Sequence, residues 1–372
     1  MFEKYQFFNH CNAIRKYLLL GQGDFIQNLM DLLVDELKKP AGQLYKYSLL
    51  GILETAVRAS NAYYSDSEFL DRLDVKLLEA SPGESGWDIF SLDYRVDAPI
   101  NTIITPEIIK GYLKVFNLLW RLKRVEHSLN ATWVQQTSRK NELYSMKDIR
   151  KDLHMCNLLR SEMLHFITNL HSYLQVEVIE SEWKRFEINI EQAEDLDKIM
   201  DIQKKFIEII HIRSMLTQDH KELYKDLVEI FELIHKFSQF QDYLYTSALD
   251  EYHRRLAESD DMLDEPQLIS NEARKQLRVL GERYKKSFES FNEHLSRFEI
   301  DQKSLSFRLD FNEYYKQLKE RDVFDDHKMN YDIDQLGVDS IDDEEEEDEE
   351  EEIINTQSYH YHHMQRGNNK FA

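Results

Sequence analysis

Apolar residues recur at helical spacing along most of this chain, and one short stretch departs from that spacing. Residues 92–124 read LDYRVDAPINTIITPEIIKGYLKVFNLLWRLKR. In the first part Leu92, Tyr94, Val96, Ala98 and Ile100 alternate with Asp93, Arg95 and Asp97. That period of two is the pattern of a half-buried strand or arm. Pro99 removes a backbone donor, which suits an edge better than a central strand. In the second part the period lengthens to that of a helix, entered through Thr105, Pro106 and Glu107. These supply a capping hydroxyl, a proline at the first helical position and a carboxylate at the positive end of the dipole.

The same spacing predicts helices near 4–20, 23–38, 43–59, 106–134, 147–176, 193–216, 220–257 and 268–299, with a shorter one at 311–321. LDRLDVKLLEA, at 70–80, fits a helix or a strand, and SPGESGWDIF is a turn-rich loop. Seven of the ten glycines and four of the five prolines lie at or before Gly111, and neither type occurs from Tyr112 to Glu265. Tight β-turns need glycine, so this silence argues for long stacked helices joined by Asn, Asp, Ser and Thr. The fold class is therefore all-α: packed helical bundles with a small extended element near 92–104. No internal repeat of the solenoid kind is visible.

Composition divides the chain in two. The net charge is −23, but 16 acidic and 3 basic residues lie between Asp325 and the end, which leaves −10 for the body. The run DSIDDEEEEDEEEE at 339–352 repels itself and offers little apolar surface, so 322–372 reads as a disordered acidic tail behind a folded domain at 1–321. Neither part has the basic excess of a nucleic-acid binder. No apolar run approaches the roughly 20 residues that span a bilayer, so no membrane is expected as a partner. MFEKYQFFNHC lacks the apolar core of a secretory signal. Cys11 and Cys156 have no CxxC spacing and read as reduced thiols of a cytosolic protein.

Candidate chemistry is sparse. GESG at 83–86 lacks the spacing of a nucleophile elbow, and GQG at 21–23 lacks a third glycine and a preceding strand. Glu162 and His165, with His171 beyond, suggest a carboxylate-histidine metal site, but one ExxH without a second copy is a poor match. His360, His362 and His363 form a terminal tract without structural meaning. The expectation is no enzyme, no metal and no cofactor, with a helical metalloenzyme or a general helical adaptor as alternatives. A basic stripe is the remaining feature. Projected on a helix, Lys110, Lys114, Asn117, Arg121 and Arg124 share a stripe about 80° wide, while Lys123 falls among apolar positions. A charged stripe faces water by default, and a lysine on the apolar side must snorkel or find an acid. The alternative is a docking face for an acidic partner.

Four segments, in order, resemble the C-terminal half of the γ-tubulin complex component family. They are YLLLGQGDFIQNLMDLLVDEL, which ends at Leu37, LDYRVDAPINTIITPEIIKGYLKVFNLLWRLKRVEHSL at 92–129, SEMLHFITNLHSYLQVEVIESEW at 161–183 and LSFRLDFNEYYKQL at 305–318. SPGESGWDIFSLDYRVDAPI is most similar to the component 3 branch. The resemblance covers about 17–320; the connector QQTSRKNELYSMKDIR at 135–150 and the acidic run do not share it. It implies a non-enzymatic scaffold of the cytoplasm and cytoskeleton, found at centrosomes, spindle poles and other microtubule-organising centres. It implies that the helical domain binds γ-tubulin and acts in microtubule nucleation. Lateral contacts with other complex components belong to the family's N-terminal half, which is not among these segments. Tubulins are acidic, so Lys110, Lys114, Asn117, Arg121, Lys123 and Arg124 become candidate partner-binding residues.

Overall fold

The computed structural model describes residues 5–61, 63, 67–139, 149–257, 271–297 and 300–310. The helix expected at 311–321 and the acidic tail lie outside the described residues. The first three helices are α1 (Phe7–Tyr17), α2 (Gly23–Leu37) and α3 (Lys46–Ala59). In α2 the buried residues Phe25, Ile26, Leu29, Met30, Leu33 and Leu37 keep the three-and-four spacing of one core-facing stripe. α3 buries the narrower set Leu49, Leu53 and Ala56 and packs on α2.

The ambiguous segment LDRLDVKLLEA resolves as a strand. β1 (Leu73–Leu77) pairs antiparallel with β2 (Phe90–Tyr94), Val75 opposite Leu92 and Leu73 opposite Tyr94. Leu73, Val75, Phe90, Leu92 and Tyr94 are buried, and the Tyr94 hydroxyl bonds Nδ1 of His10 on α1 at 2.8 Å. Asp74 and Asp93 sit opposite each other, a repulsive pair that Lys46 offsets at 3.0 Å from Asp74. Between the strands Ser85 and Asp88 form a capping box for a helical turn at Gly86–Ile89. GESG is thus a helix start. The extended element ends at Tyr94, short of the expected 104. Beyond it the Pro99 carbonyl accepts from the Thr102 hydroxyl at 2.7 Å, and the chain turns through Ile100–Thr102 into the next helix.

That helix, α4 (Pro106–Ser138), is the spine of the body. It packs on β2 and on the later helices α5 (Arg150–Ser172), α7 (Leu196–Arg213) and α8 (Lys221–Ala257). Its Trp120 lies among Trp87, Phe90 and Phe116, with ring centroids 5.9, 5.0 and 5.7 Å away. Residues 177–191, which fall in the gap at 177–192 to which the sequence spacing assigns no element, are helical: a π-helical segment Tyr173–Glu180 links α5 directly to α6 (Ser181–Glu191). No glycine or proline interrupts this stretch. The wider turn rotates the buried stripe, which runs through Leu170, Leu174, Val178, Trp183 and Phe186 and leaves Val176 outside. The final described helices are α9 (Asn271–Ser296), packed on α8, and α10 (Ile300–Leu309). Among the described residues no helix is long and apolar enough to cross a membrane.

Candidate partner-binding surface

The start of α4 is built as its sequence requires. The Thr105 hydroxyl accepts from the Ile108 amide at 3.4 Å, and Pro106 occupies the first turn. Tyr112, Val115, Phe116, Leu119, Trp120 and Leu122 then face the core, which turns the basic stripe outward. Lys110 and Lys114 are exposed, and Asn117 and Arg121 are half-buried. Among the described residues Lys110, Lys114 and Arg121 take part in no ion pair.

The other two candidates are half-buried and held by partners within the molecule. Lys123 Nζ lies 2.9 Å from Glu126 Oε2, which is the acid that a lysine on the apolar side requires. Arg124 lies 3.5 Å from Asp88, donates to Nε2 of His235 at 3.4 Å and stacks 5.3 Å above the ring of Trp87. Burial pushes its guanidinium below the ordinary value, Asp88 pulls it back and Arg121 adds to the lowering. The stripe therefore has a solvent-facing end at Lys110 and Lys114 and a braced end at Lys123 and Arg124.

Gly111 sets what lies beside the solvent-facing end. A Cβ there would come within 2.6 Å of Ile207 Cγ2, so only glycine lets α4 and α7 approach this closely. His211 of α7 seals the crossing at 2.9 Å from the Gly111 carbonyl. Burial pushes that imidazole down; the carbonyl raises it, and Lys114 lowers it further. Leu196, Met200 and Lys204, all exposed, share the flank of α7 that carries Ile207.

The opposite flank of α7 faces α6 across a groove of about 430 Å³. Phe186, Asn189 and Ala193 line one side, and Ile202, Phe206 and Ile209 the other. At one end Glu182, almost fully buried, accepts from Arg213 at 2.6 Å and from Arg185 at 2.9 Å. The sequence pattern does not foretell this groove. The available signal was Ile202, Ile209 and Ile212, apolar residues outside the core arc of Ile199, Gln203, Phe206 and Ile210.

The alternative metal residues are not brought together. Burial raises the Glu162 carboxyl, and Lys285 lowers it in part. His165 is exposed, while His171 Nδ1 lies 3.5 Å from Glu126 Oε2. Among the described residues no three His, Cys, Asp or Glu side chains gather as a metal site. Cys11 and Cys156 are both free and buried, and burial pushes the Cys156 thiol up to about 12.

Comparison with known proteins gives a consistent result. The family model described as "Gamma tubulin complex component C-terminal" matches residues 7–315. The chain is 42% identical over 342 residues to gamma-tubulin complex component 3 homolog of Xenopus laevis, and 41% identical over 342 residues to gamma-tubulin complex component 3 of Homo sapiens. Each match covers 86% of this chain and 38% of the relative. Spindle pole body component alp6 of Schizosaccharomyces pombe is 34% identical over 331 residues, again 86% of this chain and 39% of its own. The chain thus spans less than half the length of these relatives. It belongs to the γ-tubulin complex component family and corresponds to the family's C-terminal domain.

Proposed function

We propose that this chain seats γ-tubulin within a γ-tubulin complex and so acts in microtubule nucleation at centrosomes, spindle poles and other microtubule-organising centres. It works as a non-enzymatic scaffold of the cytoskeleton and needs no cofactor. Other complex components are further partners, through lateral contacts that belong to the family's N-terminal half rather than to this domain. The single observation that carries the choice of face is the pair Lys110 and Lys114: exposed, free of ion pairs among the described residues, and mounted on a packed helix in an acidic molecule. Asn117 and Arg121 extend the face, and Lys123 and Arg124 brace it through Glu126, Asp88 and Trp87. Cations so placed speed encounter with an acidic partner and fix its register.

The combined substitutions Lys110→Glu and Lys114→Glu are expected to weaken capture of purified γ-tubulin about tenfold at low salt, and less as salt screens the contact. Unchanged capture by a helical variant would return the stripe to a merely solvated face. Residues 1–321 form the binding domain in this reading, and 322–372 act as a soluble spacer. Deleting 322–372 is then expected to leave both the helical circular-dichroism signal and γ-tubulin capture unchanged; a large loss of either would make the tail structural.

A further inference from the structure

We infer that the groove between α6 and α7 is the apolar anchor of this binding face, and that it receives an apolar ridge with an acidic flank from γ-tubulin. The inference rests on γ-tubulin being the partner. Exposed large apolar side chains concentrate on these two helices: Ile209, which lines the groove, is 37% exposed, and Ile188 and Ile212 are 55% and 50% exposed. A single exposed apolar residue needs no explanation, but Ile209 on the wall of a concave, aromatic-floored groove, with further exposed isoleucines on the same two helices, marks a contact surface. Its floor is preformed, because the rings of Phe186 and Phe206 pack 4.8 Å apart, tilted by 37°, and are themselves buried.

Charge selects the occupant. Arg185, Lys198 and Lys205 rim the groove. Of the two acids there, Glu182 is already consumed by Arg213 and Arg185, which leaves Asp201. Lys198 leans away to Glu194 at 3.0 Å, whereas Lys205 is exposed and makes no ion pair among the described residues. The lining holds three basic residues to two acids on a molecule of net charge −23, and that small surplus, with Lys205 at its head, fits an acidic partner. The groove and the proposed face share one helix: α7 carries the groove on one flank and meets α4 at Gly111, beside Lys110 and Lys114, on the other. An apolar anchor with a charged rim is the arrangement that gives an interface both affinity and register.

The test measures capture of purified γ-tubulin by the full 372-residue chain carrying Ile209→Asp, Ile209→Ala, Lys205→Glu or the Lys110→Glu and Lys114→Glu pair. Circular dichroism and a thermal melt check each fold; Lys205 is exposed, so its variant remains informative if Ile209→Asp unfolds. Ile209→Asp and Lys205→Glu are expected to weaken binding about tenfold, and Ile209→Ala about fivefold. The Ile209→Ala loss should persist at high salt, whereas the Lys110 and Lys114 loss should shrink. Weakening by the α4 pair alone, with the groove variants unaffected, would overturn the anchor and leave the partner in place. Absence of capture by the unaltered chain would overturn both. Self-association of the chain that Ile209→Asp abolishes without changing γ-tubulin capture would give the groove to a second copy and sink the inference.

Discussion

Trp183→Ala is expected to cost about 3–5 kcal/mol of folding stability, measured by urea or thermal unfolding. Trp183 sits on α6 where three helices meet, and it is fully buried. Its ring lies 5.2 Å from Phe186 of α6, 5.8 Å from Phe206 of α7 and 6.4 Å from Phe8 of α1. Arg15 covers it at 5.2 Å, and Nε1 donates to Glu187 at 2.7 Å. Truncation to alanine removes the ring and leaves a cavity that three helices cannot all close at once, because each is fixed by further contacts. A domain's whole margin is about 5–15 kcal/mol, so this one change consumes a large part of it. Trp183→Phe keeps most of the volume and loses the bond to Glu187; about 1–2 kcal/mol is expected. A Trp183→Ala loss below about 1 kcal/mol would mean that α1, α6 and α7 are not locked by this cluster. Phe186 and Phe206 also floor the groove, so the same variant should blunt γ-tubulin capture, whereas Trp183→Phe should spare it.

The helical body is legible because its signal is long and repeated. Over most of the block without glycine or proline the period points to helix, and α8 lies within a residue or two of the span 220–257. Two elements are less legible, each for a local reason. YLQVEVIE holds β-branched residues, and its π-helical turn shifts the phase of the apolar stripe, so a period of 3.6 loses the helix where the chain keeps it. LDRLDVKLLEA fits either period, and the strand that decides the matter lies beyond a loop, at Phe90–Tyr94. The site divides in the same way. The outward position of Lys110 and Lys114 follows from one helix alone. The fate of Arg124 depends on Asp88 and His235, 36 and 111 residues away, and no projection of α4 contains them. Lys123 is nearer to hand, since Glu126 stands one turn along the same helix. The groove needs two helices side by side, and a single-helix pattern reports only that Ile202, Ile209 and Ile212 are apolar outside the core arc.

Mild acid is expected to destabilise the body through His171. The imidazole is held down to about 4, first by burial and then by Lys123, with Glu126 opposing both. An unfolded histidine titrates near 6.5. Between these values the unfolded chain binds the proton more readily than the folded one, so stability rises with pH. The contribution is fully present above about pH 6.5 and is lost as pH falls toward 4. The size is about 2 kcal/mol lost by pH 5 and about 3 kcal/mol by pH 4. Glu126 acts in the same sense at lower pH: burial raises its carboxyl, but Lys123 and His171 together bring it below the ordinary value. His165, His211, His220 and His235 are likewise lowered, chiefly by burial, and add to the slope. Glu162 and Asp242, raised by burial, oppose it near the bottom of the window, so the fall is steepest between about pH 6.5 and 5. Urea unfolding across pH 7.5 to 4.5 measures the slope. His171→Gln carries no titrating proton and should remove about 2 kcal/mol of the loss seen at pH 5. An unaltered slope in that variant would show that Glu126 holds the His171 proton as firmly as water does. The Lys123, Glu126 and His171 cluster would then stand as a conventional ion pair, and the acid sensitivity would pass to the remaining histidines.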